Sequence, residues 1–176
     1  LAGPQRMKLN AVTMLNQSKT AFQAEIDASC ELIDFWRFNA YFARQFHDQL
    51  QPPISPPGIN NSMEMRPVEG FILAIAPFNF TAIGGNLPTA PGVVGCTSLW
   101  KPSRNSVLSN YYVMQILMEA GLPPGVIQFV PSSGPNMSLG FGWEEGLVSL
   151  SQPVNINDTD NYNDDYGNAE FEADDG

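Results

Sequence analysis

Phe71-Ile72-Leu73-Ala74-Ile75-Ala76-Pro77-Phe78-Asn79-Phe80-Thr81 opens the stretch that decides the fold. Ser98-Leu99-Trp100-Lys101-Pro102-Ser103 and Val126-Ile127-Gln128-Phe129-Val130 follow at regular intervals. Residues 71–76 form a continuous apolar run, the pattern of a parallel strand covered on both faces, and Pro77 ends it. Residues 96–100 and 126–130 repeat the pattern as a second and third strand. Between them, residues 81–95 are rich in Gly, Ala and Pro and read as a helix with its small residues toward the sheet. Pro88 and Pro91 oppose an unbroken helix there. Residues 106–120 are amphipathic, with Val107, Leu108, Tyr111, Met114, Ile116, Leu117 and Met118 as the apolar face. Gly121 closes this helix, with Pro123 and Pro124 just beyond. The fold class is therefore α/β, with a βαβαβ unit of the kind that makes half of a nucleotide-binding domain.

Upstream lie two helices. Residues 3–16 place Leu9, Val12 and Leu15 at three-residue spacing. A longer helix covers residues 21–47, where Phe22, Ile26, Cys30, Ile33, Phe35, Trp36, Phe38, Tyr41, Phe42 and Phe46 make a wide apolar stripe. Such a stripe packs against a sheet or another helix. Residues 51–57 are a proline-rich turn, and residues 63–68 alternate weakly, as an edge strand would.

The net charge of −10 hides two unlike segments. Residues 1–135 hold eight acids and all eight bases, whereas residues 136–176 hold ten acids and no Lys or Arg. The first segment reads as a domain and the second, poor in apolar anchors from residue 151 on, as a disordered acidic tail. Neither presents the basic face that nucleic acid requires. No apolar run approaches the roughly 20 residues that span a bilayer. Gly140, Gly142 and Gly146 imitate a glycine fingerprint, but no strand precedes them, and Glu144 and Glu145 would repel phosphate. The two cysteines, Cys30 and Cys96, show no metal-ligand spacing, and Cys96 reads as a small core residue. His47 reads as a surface residue.

In an open parallel sheet, ligands bind outside the carboxyl ends of the strands. Asn79 and Lys101 stand there. Taken alone, Asn79 could serve only to satisfy a turn, and Lys101 could be an ordinary strand-end charge.

The flanking phrases alter that balance. At Ile75-Ala76-Pro77-Phe78-Asn79-Phe80 and Trp100-Lys101-Pro102-Ser103 the chain resembles the aldehyde dehydrogenase superfamily. Ala24-Glu25-Ile26-Asp27-Ala28, Glu31-Leu32-Ile33-Asp34-Phe35, Gly84-Gly85-Asn86-Leu87 and Glu119-Ala120-Gly121-Leu122-Pro123-Pro124 draw it toward the 1-pyrroline-5-carboxylate dehydrogenase branch. The resemblance covers residues 3–135. It implies a partial Rossmann-like cofactor-binding domain binding NAD, with residues 136–176 outside it.

The resemblance also implies roles. The amide of Asn79 would donate to the oxyanion formed when a cysteine thiolate adds to an aldehyde. Such a donor is worth about 3–4 kcal/mol in comparable sites. Ala76, Pro77 and Phe78 would line the nicotinamide, Lys101 would bind the adenosine ribose hydroxyls, and Ser103 would assist. Arg104 stands where the family pattern leads one to expect an acid, and either shifts ribose preference toward a 2′-phosphate or is simply solvated. The implied reaction is oxidation of glutamate γ-semialdehyde to glutamate in proline breakdown, by a homo-oligomer of the mitochondrial matrix, without nucleic acid or membrane. The family's nucleophilic cysteine and general-base glutamate, which follow in the pattern, do not appear before or after Pro135. The chain is accordingly expected to be inactive alone, an N-terminal fragment whose end resembles a misread gene end. The alternative is a non-catalytic cofactor-binding or subunit-interaction fragment.

Overall fold

A computed structural model describes residues 1–49 and 54–132. The expectations for residues 51–53, for the glycine spacing at 140–146 and for the acidic tail lie outside the described residues.

Three parallel strands, β1 (Phe71–Ile75), β2 (Thr97–Lys101) and β3 (Ile127–Phe129), lie in the order β1-β2-β3. Phe71 pairs with Thr97 and Ile75 with Lys101, while Ser98 pairs with Ile127. The helices are α1 (Arg6–Gln17), α2 (Ala21–Ala24), α3 (Glu31–Gln49), α4 (Thr81–Val93) and α5 (Val107–Glu119). A π-helical turn, Glu25–Cys30, joins α2 to α3, and a 3-10 turn, Arg104–Ser106, leads into α5. Right-handed crossovers between neighbouring parallel strands put α4 and α5 on one face, and the two helices touch.

The crossover helices start and stop for local reasons. Gly121, at φ +97°, follows α5; its amide donates to the Met118 carbonyl and the Leu122 amide to the Leu117 carbonyl. That is the Schellman closure the sequence foretold. α2 opens on a capping box between Thr20 and Gln23.

α4 runs through Pro88 and Pro91 without breaking. The Thr89 hydroxyl donates to the Gly85 carbonyl at 2.8 Å, and Trp36 Nε1 donates to Thr89 Oγ1 at 2.9 Å. The Pro88 carbonyl accepts from Ser98 Oγ at 2.8 Å. Partners on α3 and β2 thus hold the segment helical against its own propensity. Gly84 and Gly85 face neighbouring helices, not the sheet as expected, while Gly92 faces Val126. A Cβ on Gly85 would lie 3.0 Å from Val113 and 3.1 Å from Leu32, so α4 wedges between α5 and α3.

The core joins Leu9, Ala28, Leu32, Ala76, Ala82, Trp100, Val113 and Ile127. Each large side chain buried this way contributes about 1.5–3 kcal/mol. Trp100 is fully buried and meets Phe129 edge-on at 4.9 Å.

Four expectations are corrected. Among the described residues β1 is covered on one face only: Leu73 and Ile75 are exposed, because the described helices lie on the other side. The apolar stripe of the long helix is used only in its middle, from Cys30 to Trp36, and Phe22 and Ile26 before it are exposed. Leu32 and Ile33 are buried, while Phe38, Tyr41, Phe42 and Phe46 are exposed, since α4 reaches only part of α3. Residues 63–68 form no strand, and every residue from 54 to 73 is exposed. On α5, Leu108 and Met118 are exposed, while the polar Ser109 and Asn110 join Val113 and Ile116 in the buried face.

Candidate functional site

The carboxyl edge of β1 and β2 gathers the residues singled out by sequence. Ile75 and Lys101 end their strands opposite one another. The Ala76 amide donates to the Lys101 carbonyl at 2.9 Å, which ties the loop after β1 to the loop after β2. Ala76 is buried and Pro77 half-buried, while Phe78 and Asn79 are exposed on the turn before α4. Lys101 and Ser103 are half-buried around the fully buried Pro102. Asn79 and Lys101 therefore lie past the same edge of neighbouring strands, and neither is in the apolar interior.

The turn that carries Asn79 is pinned from several sides. Ser106 Oγ donates toward the Pro77 carbonyl at 3.3 Å. Lys19 places its ammonium 4.3 Å from the centre of the Phe80 ring while pairing with Asp27 at 2.7 Å. Thr81, fully buried, shares a hydroxyl–hydroxyl hydrogen bond of 3.1 Å with Thr13 on α1. The first residues of α4 are thus held by α1 and by the segment leading into α3.

The residues present suit a dinucleotide's hydroxyls and amide. No hydrogen bond or ion pair joins the Lys101 ammonium or the Asn79 side-chain amide to another described residue, so both donors are unspent among the described residues. Lys101 alternates with Trp100 along β2 and leaves the sheet on the face opposite the indole. Arg104 is exposed.

Neither cysteine is at this edge. Cys96 is buried just before β2, at the opposite end of the strand. Cys30 lies in the π-helical turn, where burial first, then Glu25, pushes its thiol above the ordinary value. There Arg6 donates to Glu25 and, at 3.1 Å, to Cys30 Sγ, and Asn10 also donates to Glu25. The Arg6 hydrogen bond, reinforced by that from Asn10, holds the Glu25 carboxyl down at about 2. This cluster fastens α1 to the π-helical turn and has no partner at the strand edge.

Sequence reasoning missed Ser106 and Asn110. Both are fully buried, and Asn110 Nδ2 donates to Ser106 Oγ at 3.1 Å. The only available signal was a polar pair inside an apolar helix pattern, four residues apart.

The aldehyde dehydrogenase family profile matches residues 3–141. The delta-1-pyrroline-5-carboxylate dehydrogenase of Bos taurus, a mitochondrial protein by name, is 56% identical over 135 residues, 77% of this chain and 24% of the relative. The crystal structure of the Delta-pyrroline-5-carboxylate dehydrogenase from Mycobacterium tuberculosis bound with NAD superposes with a TM-score of 0.74 at 59% identity, covering 78% of this chain and 25% of that one. A Thermus 1-pyrroline-5-carboxylate dehydrogenase with bound NAD gives 0.63 at 29% identity, covering 74% and 25%. The chain spans about a quarter of the length of the curated relatives it matches.

Proposed function

The chain belongs to the aldehyde dehydrogenase family, and on that premise we propose that it carries the cofactor side of an NAD-dependent oxidation of glutamate γ-semialdehyde, the open form of 1-pyrroline-5-carboxylate, to glutamate. The observation that carries this reading is the pairing of Ile75 with Lys101, which sets the 76–79 turn and an ammonium without a partner among the described residues at one sheet edge. Lys101 would hold the adenosine ribose hydroxyls, with Ser103 beside it. The backbone of Ala76, Pro77 and Phe78 would line the nicotinamide. Asn79 would donate its amide to the oxygen of the reacting carbonyl. When bound, NAD supplies the two-electron acceptor that no side chain here can provide.

Residues 1–135 act as one cofactor domain and the acidic stretch from 136 as a separate segment. The names of animal relatives support a mitochondrial setting; the matrix and a homo-oligomeric assembly belong to the same proposal.

Turnover needs an activated thiolate at the carbonyl. The chain has two cysteines, and neither lies at the edge that carries Asn79. That favours a second reading for the chain by itself, a cofactor-binding or subunit-interaction segment without catalysis. Calorimetric titration with NAD, and an assay for NADH from NAD and the aldehyde, separate the two. Binding without NADH supports the segment reading, and NADH production overturns it. Failure to bind NAD overturns the cofactor role in both readings and leaves only subunit interaction. In a complete relative, Asn→Ala at the position matching Asn79 should lower kcat about 100-fold or more.

A further inference from the structure

We propose that Ser106 is a positioning residue whose hydroxyl locks the Pro77–Asn79 turn to the loop after β2. Ser106 occupies the N-cap position of α5, where a serine hydroxyl ordinarily accepts from an amide of the first turn. Here it makes no such cap. It reaches instead across the sheet edge, to the carbonyl of Pro77, 29 residues away in sequence, at 3.3 Å. The Ser103 carbonyl lies 3.4 Å from the same hydroxyl, but it already accepts the Ser106 amide at 3.0 Å. The contact to Pro77 is the slightly shorter one, and it is the one that ties Ser106 to the other loop.

Asn110 sets the direction. Its Nδ2 donates to Ser106 Oγ at 3.1 Å, occupying a lone pair and turning the hydroxyl proton outward to Pro77. Asn110 is in turn wedged by Gly84: a Cβ there would stand 2.3 Å from Asn110 Oδ1, so only glycine admits the amide so close to α4. Gly84, Asn110 and Ser106, all buried, and the half-buried Pro77 form one chain from the first turn of α4 back to the turn that precedes it. Two loops that would grip opposite halves of a dinucleotide are thereby held at fixed separation. The structural claim stands on these contacts alone; its consequence for NAD rests on the cofactor reading above.

The test uses the full chain, without and then with NAD. In Ser106→Ala, the 15N order parameters of Phe78 and Asn79 should fall from near 0.85 to below about 0.6, while those of β2 and α5 stay put. The Kd for NAD should weaken about three- to tenfold, the effect of one lost hydrogen bond. Ser106→Cys, a weak donor of similar size, should fall between the two, and it decides the matter if the alanine variant does not fold. The proposal is overturned if Phe78 and Asn79 keep their order in both variants, or are already mobile in the parent chain. It is also overturned if order drops evenly through the molecule, as simple destabilisation would cause. If the parent chain binds no NAD, the cofactor reading fails while the order parameters still judge Ser106.

Discussion

Ala76 and Lys101 are joined by a backbone hydrogen bond of 2.9 Å, from the amide of the first to the carbonyl of the second, one residue beyond the end of β1. This bond extends the parallel ladder into the loops, so the 76–79 turn and the Lys101-Pro102-Ser103 loop leave the sheet together. The predictions below ask whether that arrangement works as a cofactor edge and what keeps it in place.

Lys101→Ala should weaken NAD binding about ten- to a hundredfold, the range for hydrogen bonds made by a charged donor. The melting temperature should hardly move, because the ammonium has no partner among the described residues. Lys101→Arg should not restore affinity fully, since a planar fork does not reproduce a compact point charge. Calorimetry paired with thermal melts checks both statements. Equal affinities for parent and alanine variant would remove Lys101 from the site.

Gly84→Ala should destabilise the fold although alanine is the better helix former. Propensity favours the change by up to about 1 kcal/mol, but overpacking a close contact costs about 1–3 kcal/mol. The new Cβ would fall 2.3 Å from Asn110 Oδ1. Denaturant midpoints should drop for Gly84→Ala and for Asn110→Ala singly. The double variant should lose less than the two added together, because the second change removes the clash. Strict additivity would mean that Gly84 and Asn110 do not press on each other.

Acid should loosen the α1 anchor. Glu25 is held at about 2, below its ordinary 4.5, chiefly by the Arg6 hydrogen bond and then by Asn10. A depressed carboxyl contributes stability that is complete above its unfolded value and is lost as pH falls through the folded one. Thermal melts should therefore be level with respect to this group above pH 5 or so, and decline toward pH 2. Glu25→Gln should flatten that decline and lower the melting temperature at neutral pH. An unchanged acid profile in the variant would contradict the role given to this carboxyl.

The outer face of β1 should limit solubility more than stability. Ile75 is 57% exposed and stands outside the core cluster. Ile75→Thr should raise the concentration at which the protein stays monodisperse, by light scattering, while changing stability by no more than about 0.5 kcal/mol. A large fall in melting temperature would show that this side chain is packed.

Strand identity, the end of β1 at Pro77 and the Schellman closure at Gly121 were legible in the chain, because each depends on neighbours within a few residues. The candidate site was legible to the same extent. Asn79 and Lys101 could be placed at strand ends, and parallel connectivity then put those ends on one edge. The phrases around them identified the family before any geometry was known.

Tertiary structure decided the rest. Apolar periodicity announces a face that needs covering but not whether a partner reaches it, so Leu32 is buried while Phe42, on the same long helix, is exposed. Proline propensity forbids what α4 does, and contacts from Trp36 and Ser98 overrule it. The service of Ser106 to Pro77 spans 29 residues and exists only once β1 and β2 are paired. Local sequence sets what each segment can form at a cost of a few kcal/mol. Which polar groups meet, and which apolar ones stay bare, follows from surfaces brought together by the whole fold.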